Sequence, residues 1–84
     1  MYEITTRTKR AEKQYNEFVN EKIEKKLELL KESPREKLGV HKLKGKLKGL
    51  WSCWLSANLR MIYEIDDINK EIIVVGVGSH KIYL

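Results

Sequence analysis

The chain has few of the residues that staple, coordinate or break a fold. A single cysteine, Cys53, stands among 84 residues, so no internal disulfide can form, and a reduced compartment is the simpler expectation. That cysteine and two histidines, His41 and His80, do not supply a zinc-binding set at these spacings, and no metal or other cofactor is expected. Nor does any run approach the roughly 20 apolar residues of a membrane span. The opening MYEITTRTKR has no apolar signal core. The expectation is a soluble, cytoplasmic protein with no membrane partner. No repeat or low-complexity linker divides the sequence, so residues 1–84 read as one small domain, whose modest core leaves a thin stability margin.

Acidic residues are also in deficit. Seventeen Lys and Arg face twelve Asp and Glu, a formal charge of +5, and the isoelectric point is near 9.4. Such a field attracts polyanions, either RNA or an acidic protein, without choosing between them.

Periodicity divides the chain in two. Tyr2 to Arg7 is short and β-prone, with Tyr2, Ile4 and Thr6 alternating onto one face. From Lys9 to Glu32, Tyr15, Phe18, Val19, Ile23, Leu27 and Leu30 recur at three- and four-residue spacings. That is the pattern of one long amphipathic helix or a hairpin of two. Asn16, followed by Glu17, is a candidate cap for a second helix after a first from about Thr8 to Tyr15. Ser33-Pro34 stops the helical region, because proline disfavours α geometry in the residue before it.

Beyond a loop, Trp51 to Leu55, Leu59 to Ile65 and Glu71 to Val77 are rich in β-branched and aromatic residues. The separators between them are short, which predicts an antiparallel meander. Gly76 and Gly78 then release the chain into the tail SHKIYL. The fold class expected is α+β: a small antiparallel sheet with an N-terminal helical hairpin packed on one face.

Four features carry candidate chemistry. Lys42, Lys44, Lys46 and Lys48 alternate, so an extended chain would set their ammonium groups along one edge to match a phosphate backbone; a solvated loop is the plainer alternative. His41 and His80 bracket the meander. Were the sheet to bring its ends together, the two would supply the proton acceptor and donor that phosphodiester cleavage requires. Taken singly, each reads as an exposed or structural histidine before a catalytic one.

Arg60 interrupts an apolar strand on the face shared by Ile62 and Glu64. It either pairs with Glu64 or another carboxylate, or presents a fork that stabilises charge on a phosphate. Tyr83, three residues after His80, either plugs the core or orients a phosphate or base. Trp51 and Trp54 read as core or interface residues before base-stacking ones.

Together, HKLKGKLKGLWSCWLSANLRMIYEID and IIVVGVGSHKIYL resemble the RelE/ParE toxin superfamily, and most closely its RelE/YafQ-type mRNA interferases. The LKG…W stretch, the strand LRMIYEID and the ending GSHKIY carry the likeness; the helical EKKLELLKESP agrees with it in kind. The resemblance implies a β-α-α-β-β-β fold and metal-independent endoribonuclease activity on ribosome-bound mRNA. There a 2′-hydroxyl attacks the adjacent phosphate, leaving a 2′,3′-cyclic phosphate and a 5′-hydroxyl. It implies His80 and His41 as the acid–base pair, Arg60 as the phosphate clamp and Tyr83 as the orienting group. Lys42, Lys44, Lys46, Lys48 and Asn58 would hold flanking RNA.

The pattern departs from YafQ-like enzymes at Trp54, where they have a further histidine, and at Asn58, where they have an aspartate. The resemblance further implies a cognate antitoxin as partner, with operator DNA bound only through that antitoxin. Two alternatives share the fold: a ParE-like inhibitor of DNA gyrase without nuclease activity, and a catalytically degenerate toxin.

Overall fold

The computed structural model describes residues 1–79. Strand β1 (Glu3–Thr6) leads into helix α1 (Lys9–Phe18) and helix α2 (Glu21–Glu32). A two-residue strand β2 (His41–Lys42) and a single 3₁₀ turn (Gly45–Leu47) precede β3 (Trp51–Ser56), β4 (Leu59–Asp66) and β5 (Glu71–Ser79). The five strands form one sheet in the order β1-β5-β4-β3-β2. As the short separators predict, β3, β4 and β5 form an antiparallel meander. Strand β1 adds to its far side parallel to β5, which makes the sheet mixed, and β2 extends the other edge. No helix among the described residues is long and apolar enough to cross a membrane.

The helical region is a hairpin, but its break lies four residues later than Asn16. Thr8 caps α1, its hydroxyl accepting from the Ala11 N–H at 3.0 Å, and α1 runs through Asn16 to Phe18. Asn20 caps α2 by accepting from the Ile23 N–H at 3.0 Å. Glu21 and Glu24 in the first turn of α2 favour a start there, where the helix dipole is positive. This register turns Ile23, Leu27 and Leu30 onto one stripe. They pack with Cys53, Leu55, Met61, Tyr63, Ile72, Val74 and Val77 in a single core. Each such fully buried side chain contributes about 1.5–3 kcal/mol of transfer free energy. Phe18, expected in the stripe, stays exposed.

Gly76 and Gly78 do not release the chain; they lie inside β5, opposite Ile62 and Arg60. Between the pairs Tyr63–Val74 and Ile62–Gly76, β5 carries Val75 as an extra residue. That bulge resets the alternation, so Val74 and Val77 both face the core while the two glycines lie beside the opposite face. The Val77 N–H donates at 3.0 Å to the side-chain oxygen of Gln14 on α1.

Candidate nucleic-acid interface

The helices cover one face of the sheet, and the candidate residues gather on the other. Residues directly opposed in antiparallel strands share a face. His41 stands opposite Ser52, Ser52 opposite Ile62 and Ile62 opposite Gly76, a row that crosses four strands. One step toward the β3–β4 hairpin, Trp54 stands opposite Arg60 and Arg60 opposite Gly78. His41 and Arg60 therefore share this face, with Ser52 between them.

Arg60 does not pair with Glu64. Its Nε and Nη2 both donate to the Ser52 hydroxyl, at 3.0 and 2.8 Å, and its guanidinium carbon lies 5.3 Å from the centre of the Trp54 ring. Glu64 instead forms an ion pair with Arg7, the residue that follows β1. Trp54 has further neighbours: its backbone N–H donates to the Leu38 carbonyl at 2.9 Å, and Gly39 lies close to its ring. Ser52 and Arg7 escape a reading of the sequence alone. Counting back from the Ser56–Leu59 pair would set Leu55 against Arg60; the register shift between Trp54 and Ser56 sets Trp54 there instead and leaves Ser52 diagonal to Arg60, and no residue type in the hairpin marks that shift.

The lysines do not form one extended edge. At Gly45 the chain enters the left-handed region, with φ +68°, and the 3₁₀ turn that follows folds residues 43–50 into a compact loop. Hydrogen bonds from Leu43 N–H to Leu50 O and from Lys48 N–H to Gly45 O close it, at 3.0 and 3.1 Å. Lys42 turns to the helix side, where its Nζ lies 5.4 Å from the Trp51 ring centre; Arg35 approaches the same ring at 5.6 Å. Trp51 is thus a cation–π platform against the core, as its reading as a core residue expects. Lys42, Lys44 and Lys48 line a cavity of about 360 Å³ with Leu43, Gly45 and Gly49, while Lys46 is exposed within the turn.

Asn58 is exposed between β3 and β4. The basic loop and Asn58 therefore lie beyond opposite ends of β3, with His41, Ser52, Trp54 and Arg60 between them. His80 and Tyr83 lie outside the described residues. Strand β5 ends with Ser79 opposite Leu59, one pair beyond Arg60.

Among the other ionisable groups, Cys53 is fully buried on the core side. Desolvation pushes its thiol up to about 12, against smaller opposing effects of a backbone hydrogen bond from Met61 and the Arg60 charge. It remains a neutral thiol with no nucleophilic role. Tyr63 is also buried, its phenol raised by desolvation and donating to the Pro34 carbonyl at 2.7 Å. That bond ties β4 to the end of α2.

A capped helical hairpin on one face of a five-stranded mixed sheet is the fold of the RelE/YoeB-like toxins. A YoeB/ParE toxin from Agrobacterium tumefaciens superposes with TM-score 0.73 at 22% identity, over 95% of this chain and 99% of that one. The toxin–antitoxin complex YoeB–YefM from Staphylococcus aureus gives TM-score 0.73 at 27% identity, over 95% and 98%. A YafQ variant from E. coli gives 0.66 at 17%, over 95% and 94%. Comparison with curated protein sequences gives no match. Residues 2–83 match the family described as bacterial toxin of type II toxin–antitoxin system, YafQ, and the chain belongs to that family.

Proposed function

We propose that the protein is an mRNA endoribonuclease whose reaction takes place on the sheet face opposite the helices. The observation that carries this reading is the placement of His41 and Arg60 on that one face, with Ser52 opposite the first in the sheet and hydrogen-bonded to the second. A histidine exchanges protons near neutral pH, and a guanidinium offers paired N–H groups to phosphate oxygens. Cleavage by an RNA 2′-hydroxyl needs both. One group takes the hydroxyl proton as oxygen attacks the adjacent phosphorus; a second returns a proton to the departing 5′-oxygen; a cation stabilises the charge gathering on the phosphoryl oxygens. The products are a 2′,3′-cyclic phosphate and a 5′-hydroxyl end, and no redox partner or metal enters the balance.

In this reading His80 acts nearest the leaving group and His41 opposite it, Arg60 clamps the phosphate, and Tyr83 orients it. Lys42, Lys44, Lys46, Lys48 and Asn58 hold flanking RNA or ribosomal RNA along the direction of β3. The proposed setting is the cytoplasm, with translated mRNA as substrate. An antitoxin partner is supported by the neighbour that was solved as a YoeB–YefM complex. A chain of charge +5 favours an acidic, partly disordered antitoxin segment, and operator DNA would be bound through that partner.

The test is cleavage of an mRNA by antitoxin-free protein in EDTA, with and without translating ribosomes, followed by mapping of the new ends. Cyclic-phosphate ends that appear only with ribosomes support the reading in full. Cuts in naked RNA would make it a freestanding nuclease. No cuts under either condition would overturn it in favour of gyrase inhibition or an inactive copy.

A further inference from the structure

We propose that Ser52 is a positioning residue for the reaction: its buried hydroxyl sets the plane and direction of the Arg60 guanidinium. The inference rests on the nuclease reading above and adds to it a residue that neither the chemistry nor the motifs single out.

Ser52 is fully buried, unlike the exposed serines of a surface strand, and it is the one buried polar side chain of the described residues. It receives Nε and Nη2 of Arg60 together, at 3.0 and 2.8 Å, so it holds the side-on edge of the fork. The Trp54 ring lies on one side of the guanidinium, its centre 5.3 Å from the guanidinium carbon. With Nε and one N–H of Nη2 given to Ser52, the second N–H of Nη2 and those of Nη1 form the end-on edge of the fork. This is the pair of donors whose geometry matches two oxygens of a phosphate.

The chemistry of the holder matters as much as its place. A carboxylate would also accept two N–H groups, but it would bring a negative charge beside the phosphate and offset the field that the arginine supplies. A hydroxyl orients without neutralising. Glu64, on the same face of β4, is paired with Arg7. Ser52 also stands opposite His41 in the sheet, so one buried residue sets the arginine while its strand position sets the histidine beside it.

The experiment is Ser52→Ala with Ser52→Thr as the variant that keeps the acceptor, read by steady-state cleavage and by the Arg60 Nε–H resonance in ¹⁵N NMR. Ser52→Ala should lower kcat by roughly 10- to 100-fold with KM nearly unchanged, the cost of a misdirected catalytic group. It should also lose the slowly exchanging Nε–H signal while retaining antitoxin binding, and Ser52→Thr should recover both kcat and the signal. An unchanged kcat, or a fall in kcat with the Nε–H signal intact, would overturn the proposal. If the alanine variant does not fold, Ser52→Cys, near in size but a weak acceptor, replaces it with the same expected outcomes. A parent protein that cuts no RNA would remove the nuclease reading alone, since the NMR signal still decides whether Ser52 sets the guanidinium.

Discussion

Glu64 gives its carboxylate to Arg7 rather than to Arg60, which stands beyond Ile62 on the same face of β4. The pair joins β4 to the segment just after β1 across β5, and it keeps an acidic group on the candidate face neutralised. Both side chains are about two-fifths exposed, at 42% and 40%, so the pair contributes only ~0–1 kcal/mol to stability. Its larger effect is on the field. Arg7→Gln should leave the unfolding midpoint nearly unchanged but raise KM for RNA, because Glu64 then repels phosphate. Adding Glu64→Gln should restore KM. Steady-state kinetics on the single and double variants check this, and a double variant no better than the single would refute it.

How much of this was legible beforehand varied with the physics of each segment. The meander was readable because β-branched runs with short separators leave few other pairings. The helix break was misplaced because Asn16 and Asn20 carry the same capping chemistry; the choice fell to which register turns Ile23, Leu27 and Leu30 onto the sheet. The alternating lysines fit a strand on paper, but a strand needs every residue extended, and Gly45 takes a left-handed conformation instead. Ser52 left no trace, since a small hydroxyl in an apolar strand announces itself only once its diagonal partner is known.

Tyr2 and Arg35 converge on Asp67. The Tyr2 phenol donates to one carboxylate oxygen at 2.5 Å, and Arg35 donates to both, at 3.1 and 2.7 Å. The Arg35 bond first, and the Tyr2 bond second, lower Asp67 from its ordinary 3.8 to about 2. A carboxylate held down in the folded state contributes stability that is present above its unfolded pKa and lost as pH falls through the folded one. Wild type should therefore exceed Asp67→Asn in stability at neutral pH, with the gap closing between about pH 4 and pH 2. Chemical denaturation across that range checks it; a gap that persists below pH 2 would assign the effect to packing.

The Tyr63 hydroxyl is a structural bond on the face away from the site. Tyr63→Phe removes it and leaves the Pro34 carbonyl, in a buried residue, without that donor. The cost should be about 1–3 kcal/mol in the free energy of unfolding, with kcat for RNA cleavage unchanged at temperatures where the variant is folded. A loss of kcat in the folded variant would show that the loop after α2 communicates with the sheet face opposite the helices.

Gly39 is tied to the site through Trp54. Its φ is +62°, and a Cβ there would stand 3.2 Å from Trp54 Cδ1. Gly39→Ala should thus cost ~1–2 kcal/mol from backbone strain and displace the ring on which Arg60 lies. The expected result is a lower melting temperature together with a reduced kcat. A destabilised variant with full kcat would mean that the Trp54 ring does not help to place the arginine.

The basic loop should bind RNA by charge, independently of base sequence, and this separates it from the catalytic face. Lys44 and Lys48 line the same cavity on residues 42–49, and each phosphate neutralised on a single strand contributes about −0.7 to the slope of log K against log salt. Replacing both with Gln should flatten that slope by roughly 1.4 if each contacts one phosphate, weaken binding to all sequences alike and leave kcat at saturating RNA unchanged. Arg60→Lys should do the reverse, because a single ammonium keeps the charge but loses the planar fork: kcat falls while the salt slope stays. Filter binding across a salt series, paired with saturating-substrate kinetics, distinguishes the two. A kcat defect in the lysine variants equal to that of Arg60→Lys would place the loop within the reaction itself.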